Sequence, residues 1–372
     1  MEDINKKVQV LAYYLPQYHS TPHNDEWWGK GFTEWTNVAK AKKLFPGHYQ
    51  PHVPADLGFY NLMNDPEVRE KQVVLAKEAG VTGFCYYHYW FDADHLELEK
   101  PFEQVVETGK PEFPFCLCWA NESWYSKFWN KDNKVTSKKL LVEQKYLGEE
   151  DNRKHFEYLL RAFKDPRYIR IDGRLLFIIY SPMKFKGFEQ FSKLWNNLAQ
   201  QNGLKGFYFV GFTADFSAQY DRIKAMGYDA VNDCRLYNVF FNGGSHSVFR
   251  KGWNRVIRTI TRLPNIVSYK RAIRFLVAVE DKKEDVYPTL IPNWDHSPRS
   301  GNNSSMFTNS SPELFYEHAK EVFDMVKDKP EENKIVFLKS WNEWGEGNYM
   351  EPDLKFGKGY IEALNRALRE SE

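Results

Sequence analysis

A chain of 372 residues is longer than an average domain, yet α/β barrels routinely reach this length as one unit carrying insertions. The 51 basic and 50 acidic residues nearly cancel, so no overall field selects nucleic acid as a partner, and nowhere do about 18 apolar residues run together as a membrane span requires. Aromatic residues are abundant, with 12 Trp, 22 Tyr and 28 Phe; such rings either fill a core or lie against the faces of sugars, and only position decides which.

The opening residues, Met1 to Lys7, hold no apolar stretch of the export type, and a cytoplasmic protein is expected. From there short apolar runs recur, each followed by a polar or aromatic cluster and then a helical pattern. The strands predicted in this way are Val8–Tyr14, Thr82–Tyr87, Phe115–Trp119, Leu175–Tyr180, Phe207–Gly211, Ala230–Cys234, Tyr287–Ile291 and Ile335–Lys339. Between them lie amphipathic stretches such as Pro66–Ala79, Glu150–Phe163, Phe188–Gln201 and Pro312–Val326, several opening on Asp, Ser or Pro, the usual helix-start residues. Eight such units predict a single-domain (β/α)₈ barrel over residues 1–372, with a doubly wound open sheet as the alternative. Cys85, Cys116, Cys118 and Cys234 fall in or at the end of these runs, which makes them small buried hydrophobes rather than bridges or metal ligands.

Two insertions interrupt the rhythm. The first, about residues 20–61, follows strand one and carries Trp27, Trp28, Trp35, His48, Tyr49 and His52 among prolines and glycines, as a loop over a barrel mouth would. The second, about residues 235–285, follows strand six. Its stretch 235–275 contains nine Lys or Arg residues, among them Arg235, Arg255, Arg258 and Arg274, and no Asp or Glu. Trp253, Val256, Ile257 and Ile260 follow helical spacing there, predicting a basic amphipathic helix that either packs on the barrel or touches a membrane or lipid-linked glycan.

In a barrel the functional groups project from the C-terminal ends of the strands. Those ends lead into Tyr14, Gln17, Tyr18 and His19; into His88 and Trp90; into Trp119, Asn121 and Glu122; into Asn293, Trp294 and Asp295; and into Trp341, Asn342, Glu343, Trp344 and Glu346. With Trp35 from the first insertion, these are the expected substrate-contacting residues, and the alternation of rings with amides and carboxylates suits an oligosaccharide or polysaccharide.

Glycoside cleavage needs a protonated acid at the leaving oxygen and an ionised carboxylate near the anomeric centre or a neighbouring hydroxyl. Glu343 and Glu346, three apart, face the same way if the segment turns helically, with Gly345 and Gly347 easing the turn and Trp341 and Trp344 drying the pair. A second Asn-Glu pair, Asn121-Glu122, is the competing source of a carboxylate.

Other chemistries find weaker footing. Asp92-Ala93-Asp94 either holds a metal on a nucleotide sugar or caps a helix expected over His95–Thr108. No phosphate-binding glycine motif follows a strand, and the pairs His19/His23 and His48/His52 are broken by Pro22 and Pro51, so no metal site is expected.

Leu11-Ala12-Tyr13-Tyr14-Leu15-Pro16-Gln17-Tyr18-His19, Gly31-Phe32-Thr33-Glu34-Trp35, Cys118-Trp119-Ala120-Asn121-Glu122 and Trp341-Asn342-Glu343-Trp344-Gly345-Glu346-Gly347 together resemble the WbsX-like proteins of bacterial surface-polysaccharide clusters, which are similar to glycoside hydrolase family 99. The resemblance spans almost the whole chain. It implies a (β/α)₈ fold, no metal or other cofactor, and retaining, endo-acting hydrolysis of α-mannosidic-type bonds. It further implies a base that takes the proton of the sugar 2-hydroxyl, giving a 1,2-anhydro sugar, and an acid that protonates the leaving oxygen. Matched onto this sequence, Glu343 is the base and Glu346 the acid. WbsX-like proteins are also described as glycosyltransferases, so transfer from a nucleotide- or lipid-linked sugar in O-antigen or capsule synthesis stands as the alternative. A non-catalytic glycan-binding barrel is the third reading.

Overall fold

The computed structural model of the chain describes residues 8–129, 135–242 and 263–371. Eight strands form the barrel: β1 (Gln9–Tyr14), β2 (Gly83–Asp92), β3 (Phe115–Trp119), β4 (Arg174–Ile179), β5 (Phe207–Thr213), β6 (Ala230–Asp233), β7 (Val286–Leu290) and β8 (Ile335–Leu338). Each is hydrogen-bonded in parallel to the next, and β8 returns to β1 through Gln9 opposite Ile335 and Val10 opposite Val336. The sheet is therefore closed, and the open-sheet alternative falls. All eight expected strands are present with ends within two residues of those expected, except that β2 runs on to Asp92.

Among the described residues the α-helices longer than one turn are α1 (Pro22–Trp28), α2 (Glu34–Lys40), α3 (Pro66–Ala79), α4 (Lys100–Thr108), α5 (Glu149–Lys164), α6 (Phe188–Gln201), α7 (Phe216–Ala225), α8 (Tyr269–Leu276), α9 (Pro312–Val326) and α10 (Gly359–Arg369). Helices α3 to α10 each follow one barrel strand, while α1 and α2 belong to the first insertion. Sequence chemistry sets their ends. Pro66 and Pro312 stand in the first turn, where no N–H is needed, the Ser311 hydroxyl accepts from Leu314 N, and α3 stops at the left-handed Gly80.

The abundant rings are divided between two places. Outside the sheet, Phe163, Phe177, Phe191, Trp195 and Phe207 pack on one another, edge-to-face or tilted, between the strands and α5 and α6. Inside the barrel, Tyr13 stacks on Tyr87 and Phe337 and meets the edge of Phe212, and its hydroxyl donates to the buried Asn232 at 2.7 Å. Interior layers of this kind fill a barrel, so its floor is solid and ligands are confined to its mouth. All four cysteines are buried and unbridged.

Two expectations fail locally. The helix expected from His95 begins only at Lys100, because His95–Glu97 forms a short strand folded back antiparallel on β2. Asp92-Ala93-Asp94 is the turn of that hairpin and caps no helix. In the second insertion, the stretch holding Trp253, Val256, Ile257, Ile260, Arg255 and Arg258 lies outside the described residues. Its start is described: Arg235 turns inward onto Asp233 at 2.7 Å and Asp281 at 3.1 Å, so it joins a buried ion cluster rather than a solvated basic face. Among the described residues no helix is long and apolar enough to cross a membrane.

Candidate active site

Beyond β8 the chain does not continue into its helix at once. Lys339 and Ser340 lead to a two-residue strand, Asn342–Glu343, then a single 3₁₀ turn, Trp344–Glu346, and a return strand, Asn348–Tyr349, paired with the first. The turn is tight for two different reasons. Gly347 adopts a left-handed backbone, with φ 59°, whereas Gly345 is needed for space, since a Cβ there would lie 1.9 Å from Glu34 Oε1.

This turn brings the carboxylates of Glu343 and Glu346 together against two cations. Arg299 Nη1 donates to Glu346 Oε1 at 2.6 Å and reaches Glu343 Oε1 at 3.5 Å; Lys339 Nζ lies 3.2 Å from Glu343 Oε2 and 3.9 Å from Glu346 Oε2. Arg299 also grips Glu34 Oε1 through Nη2 at 2.6 Å and Nε at 3.1 Å. Three glutamates thus share two cations in a buried cluster, and Glu343 and Glu346 are only 6% and 9% exposed. Burial disfavours every one of these charges, so the electrostatics are set by mutual pairing. Burial and the neighbouring Glu346 push the Glu343 carboxyl above its ordinary value, against the pull of Lys339 and Arg299. Burial likewise opposes the Lys339 ammonium, but Glu343 and its neighbours outweigh it and hold the lysine charged.

Three of these groups escaped the sequence reading. Lys339 is the last residue of an expected strand, Arg299 lies on a single helical turn, Ser297–Ser300, after β7, and Glu34 lies inside the Gly-Phe-Thr-Glu-Trp segment already singled out for its tryptophan. The signal for Glu34 was thus present, attached to the wrong neighbour. A parity error hid the aromatic wall as well. Side chains alternate along β2, and it is Tyr87 and Tyr89 that face the carboxylates: Lys339 Nζ bonds the Tyr87 hydroxyl at 3.2 Å, and the charge of Glu343 raises the pKa of both phenols, which burial has already raised. The expected His88 and Trp90 face outward instead. His88 meets His155 of α5 at 2.8 Å and Trp90 stacks on the same ring, with burial pushing His88 down to about 3.

Several other expected contacts are structural braces. Tyr14 is sealed outside the barrel, bonded to Gln72. Tyr18 packs between Trp35 and Tyr60 and its hydroxyl donates to the carbonyl of Asn342. Trp35 donates to Tyr60 O, and the half-buried Gln17 accepts from Glu34 N through its carbonyl. His19 is buried, bonds the carbonyl of Pro16, and is pushed down to about 4 by desolvation. Trp119 donates to the carbonyl of Trp90 and packs on Phe185 and Phe191.

Asn342 clamps Leu15 by both its amide atoms, and Trp341 is buried against Phe84. Trp344 stacks on Tyr349 at 3.7 Å and donates to Glu351, so neither tryptophan covers the carboxylates as a drying lid. Glu351 was not anticipated at all; it also accepts from Gln72 and Tyr60, and burial lifts its carboxyl to about 7.

The strand-seven residues stay near the pair. Lys339 Nζ lies 5.7 Å from the Trp294 ring centre. Asn293 donates to Gly347 O, and Asp295 accepts from Gln50 and pairs with His48 at 2.8 Å. Burial raises Asp295, but bonds from His48, Ser297 and Gln50 outweigh it and hold the carboxyl below its usual value. A cavity of about 380 Å³ opens behind Gly347 and Asp295, lined among others by Tyr49, Asn309, Tyr349 and Lys355. Asn121 and Glu122 are farther out: Asn121 ties the loop to Ser181 and Tyr146, and Glu122 bonds Lys184 and Ser181 at the surface.

As for cation sites, Asp92 is occupied by Lys145 at 2.8 Å and by Asp94 N. Among the described residues one group has metal-binding composition and spacing, His23, His95 and Glu97 at the rim.

The sequence and the fold have relatives among known proteins. The family model described as Glycosyltransferase WbsX matches residues 10–364. The protein WxcX of Xanthomonas campestris pv. campestris, in strains B100 and ATCC 33913, is 32% identical over 374 residues, covering 96% of this chain and 49% of that protein. The chain therefore spans about half the length of the curated relatives it matches. Of solved structures, a GH99 endo-α-mannosidase from Bacteroides thetaiotaomicron in complex with BIS-TRIS-propane superposes with a TM-score of 0.57 at 15% identity, over 98% of this chain and 97% of that one. A glycoside hydrolase-like protein gives the same TM-score at 14% identity, over 98% and 95%. At such identities the likeness is one of fold.

Proposed function

The chain belongs to the WbsX glycosyltransferase family, a family of carbohydrate-active proteins, and from that premise we propose that it is a retaining, endo-acting glycoside hydrolase or transglycosylase. We propose a bacterial surface polysaccharide or its lipid-linked precursor as substrate, met in the cytoplasm. The observation that carries this reading is the buried pair Glu343 and Glu346 sharing Arg299 and Lys339 at the mouth of the barrel.

In the proposed reaction Glu343 is the base. Its raised pKa gives it proton affinity, and Lys339 keeps it ionised in the resting site. It takes the proton of the sugar 2-hydroxyl as that oxygen attacks the anomeric carbon, forming a 1,2-anhydro sugar while the glycosidic bond breaks. Glu346 gives its proton to the departing oxygen. It can do so once Arg299 turns wholly toward Glu34, which already holds two of its three donating nitrogens. Water, or an acceptor hydroxyl, then gives its proton to Glu346 as it attacks the anomeric carbon, Glu343 returns its proton to O2 as the anhydro ring opens, and the starting anomer is restored. Tyr89, Trp294 and the cavity behind Gly347 supply ring faces and hydroxyl partners for sugars on either side.

Glu346→Gln is expected to abolish turnover of a responsive oligosaccharide while retaining its binding, measured by chromatography of products beside calorimetry of the intact glycan. Normal rates in that variant would remove the acid assignment.

The family description favours one further reading, transfer from a nucleotide- or lipid-linked sugar, with Asp92 and Asp94 as metal ligands in the nucleotide case. The Lys145 ammonium on Asp92 argues against it. Heat on mixing the protein with nucleoside diphosphates and Mn²⁺ would support transfer. Contact with a membrane or lipid-linked glycan is proposed through the basic segment 235–275, whose Lys270 and Arg274 are exposed on α8; unchanged liposome co-sedimentation after Lys270→Glu and Arg274→Glu would dismiss it.

A further inference from the structure

At the rim of the mouth a second polar group has no part in the proposed reaction. His95 and Glu97 lie two apart on the short strand folded against β2, hence on one face of it, and His23 reaches them from α1 in the first insertion. His23 Nδ1 lies 2.5 Å and His95 Nε2 3.0 Å from the same oxygen, Glu97 Oε1. The three ligand atoms fall within 4.8 Å of one another.

This arrangement is built, not incidental. The Glu97 carboxylate is 2% exposed, a costly place for a charge unless something compensates it. Both imidazoles are held by rings: His23 and His95 stack at 4.9 Å and 15°, Trp27 stacks on His23 at 5.4 Å, and Phe91 meets His95 edge-on at 5.5 Å. Side chains locked in this way are preorganised. One side stays open, because the His23 side chain is 45% exposed.

We propose that His23, His95 and Glu97 bind a divalent transition metal, Zn²⁺ by chemical class. Two imidazole nitrogens and one carboxylate oxygen form a donor set that suits zinc and not magnesium or calcium, which prefer oxygen throughout. A cation seated among the three would hold each donor at about 2.0–2.2 Å, replacing two bonds to one oxygen, and leave a fourth position for water or a sugar hydroxyl. It would also pin the first insertion to the β2 hairpin. Trp27 meets the edge of Trp124, Trp124 meets Tyr89, and Tyr89 faces Glu343, so the metal would stiffen one wall of the mouth without touching the carboxylates.

The test uses the full chain after chelator treatment and dialysis, titrated with Zn²⁺ by calorimetry and with Co²⁺ by visible absorption. One equivalent bound in the micromolar range or tighter, a Co²⁺ spectrum of four- or five-coordinate type, and affinity at least about 10-fold weaker in both His23→Ala and His95→Ala are expected. His23 is exposed, so its replacement leaves the core intact, and circular dichroism on each variant separates lost ligation from lost fold. Absence of a stoichiometric site, or unchanged affinity in folded His23→Ala, would overturn the proposal. Neither result bears on Glu343 or Glu346.

Discussion

The dipeptide Asn-Glu occurs at two places on the mouth, after β3 as Asn121-Glu122 and beyond β8 as Asn342-Glu343, and the two behave differently. In both, the asparagine ties one backbone segment to another: Asn121 to Ser181, Asn342 to Leu15. The glutamates diverge. The Glu122 side chain is 40% exposed and meets a single, largely solvated lysine. Glu343 is buried beside a second glutamate, with one lysine and one arginine shared between them. Residue type and strand-end position are alike, so surroundings alone separate a buried carboxylate that shares two cations from a surface ion pair.

That contrast can be broken at either end. Glu343→Gln is expected to cut kcat by about 10²–10⁴-fold, measured on the same oligosaccharide that responds to the parent chain; a smaller effect than that of Glu122→Gln would invert the comparison. Next in size, Glu351 sharpens the point that burial governs these carboxyls. Its folded pKa of about 7 exceeds its ordinary 4.5, so the folded state holds a proton that the unfolded chain releases, and stability falls as pH rises through that window. The loss is about 3 kcal/mol, and Glu351→Gln should flatten it in denaturant midpoints taken at pH 5 and pH 8.

Lys339→Met tests the electrostatics of the pair directly. As the proposed base, Glu343 must be ionised, so activity is expected to fall as pH drops through its pKa. Without the ammonium that pKa climbs further, and the acid limb of the kcat/KM profile should move to higher pH. An unmoved limb would assign the titration elsewhere. The smallest expected effect is that of Glu122→Gln on stability, within about 0.5 kcal/mol by thermal melting, as for any solvated surface pair.

Nearly the whole barrel was legible in the sequence because the strands are buried on both faces and most read as continuous apolar runs, from Val10-Leu11-Ala12 to Ile335-Val336-Phe337. The same continuity concealed the site. With no polar alternation along Phe84-Cys85-Tyr86-Tyr87-His88-Tyr89-Trp90, nothing distinguishes the face of Tyr87 and Tyr89 from that of His88 and Trp90, and the histidine attracted attention it does not merit. Glu34 and Arg299 were illegible for another reason: they come from different loops 265 positions apart, and only the folded barrel brings them together. Gly345 was noticed as a turn residue, but its true constraint is the Glu34 oxygen that a Cβ would strike.

The clamp between Asn342 and Leu15 joins positions separated by 327 residues, and Trp341 N bonds Tyr13 O beside it. During synthesis on the ribosome, Leu15 emerges 327 residues ahead of its partner Asn342. Contacts of such long range close late. A nascent barrel therefore lacks the cluster of Glu343, Glu346, Lys339 and Arg299 until the segment beyond β8 has been made and docked. Chain connectivity alone sets that order of assembly.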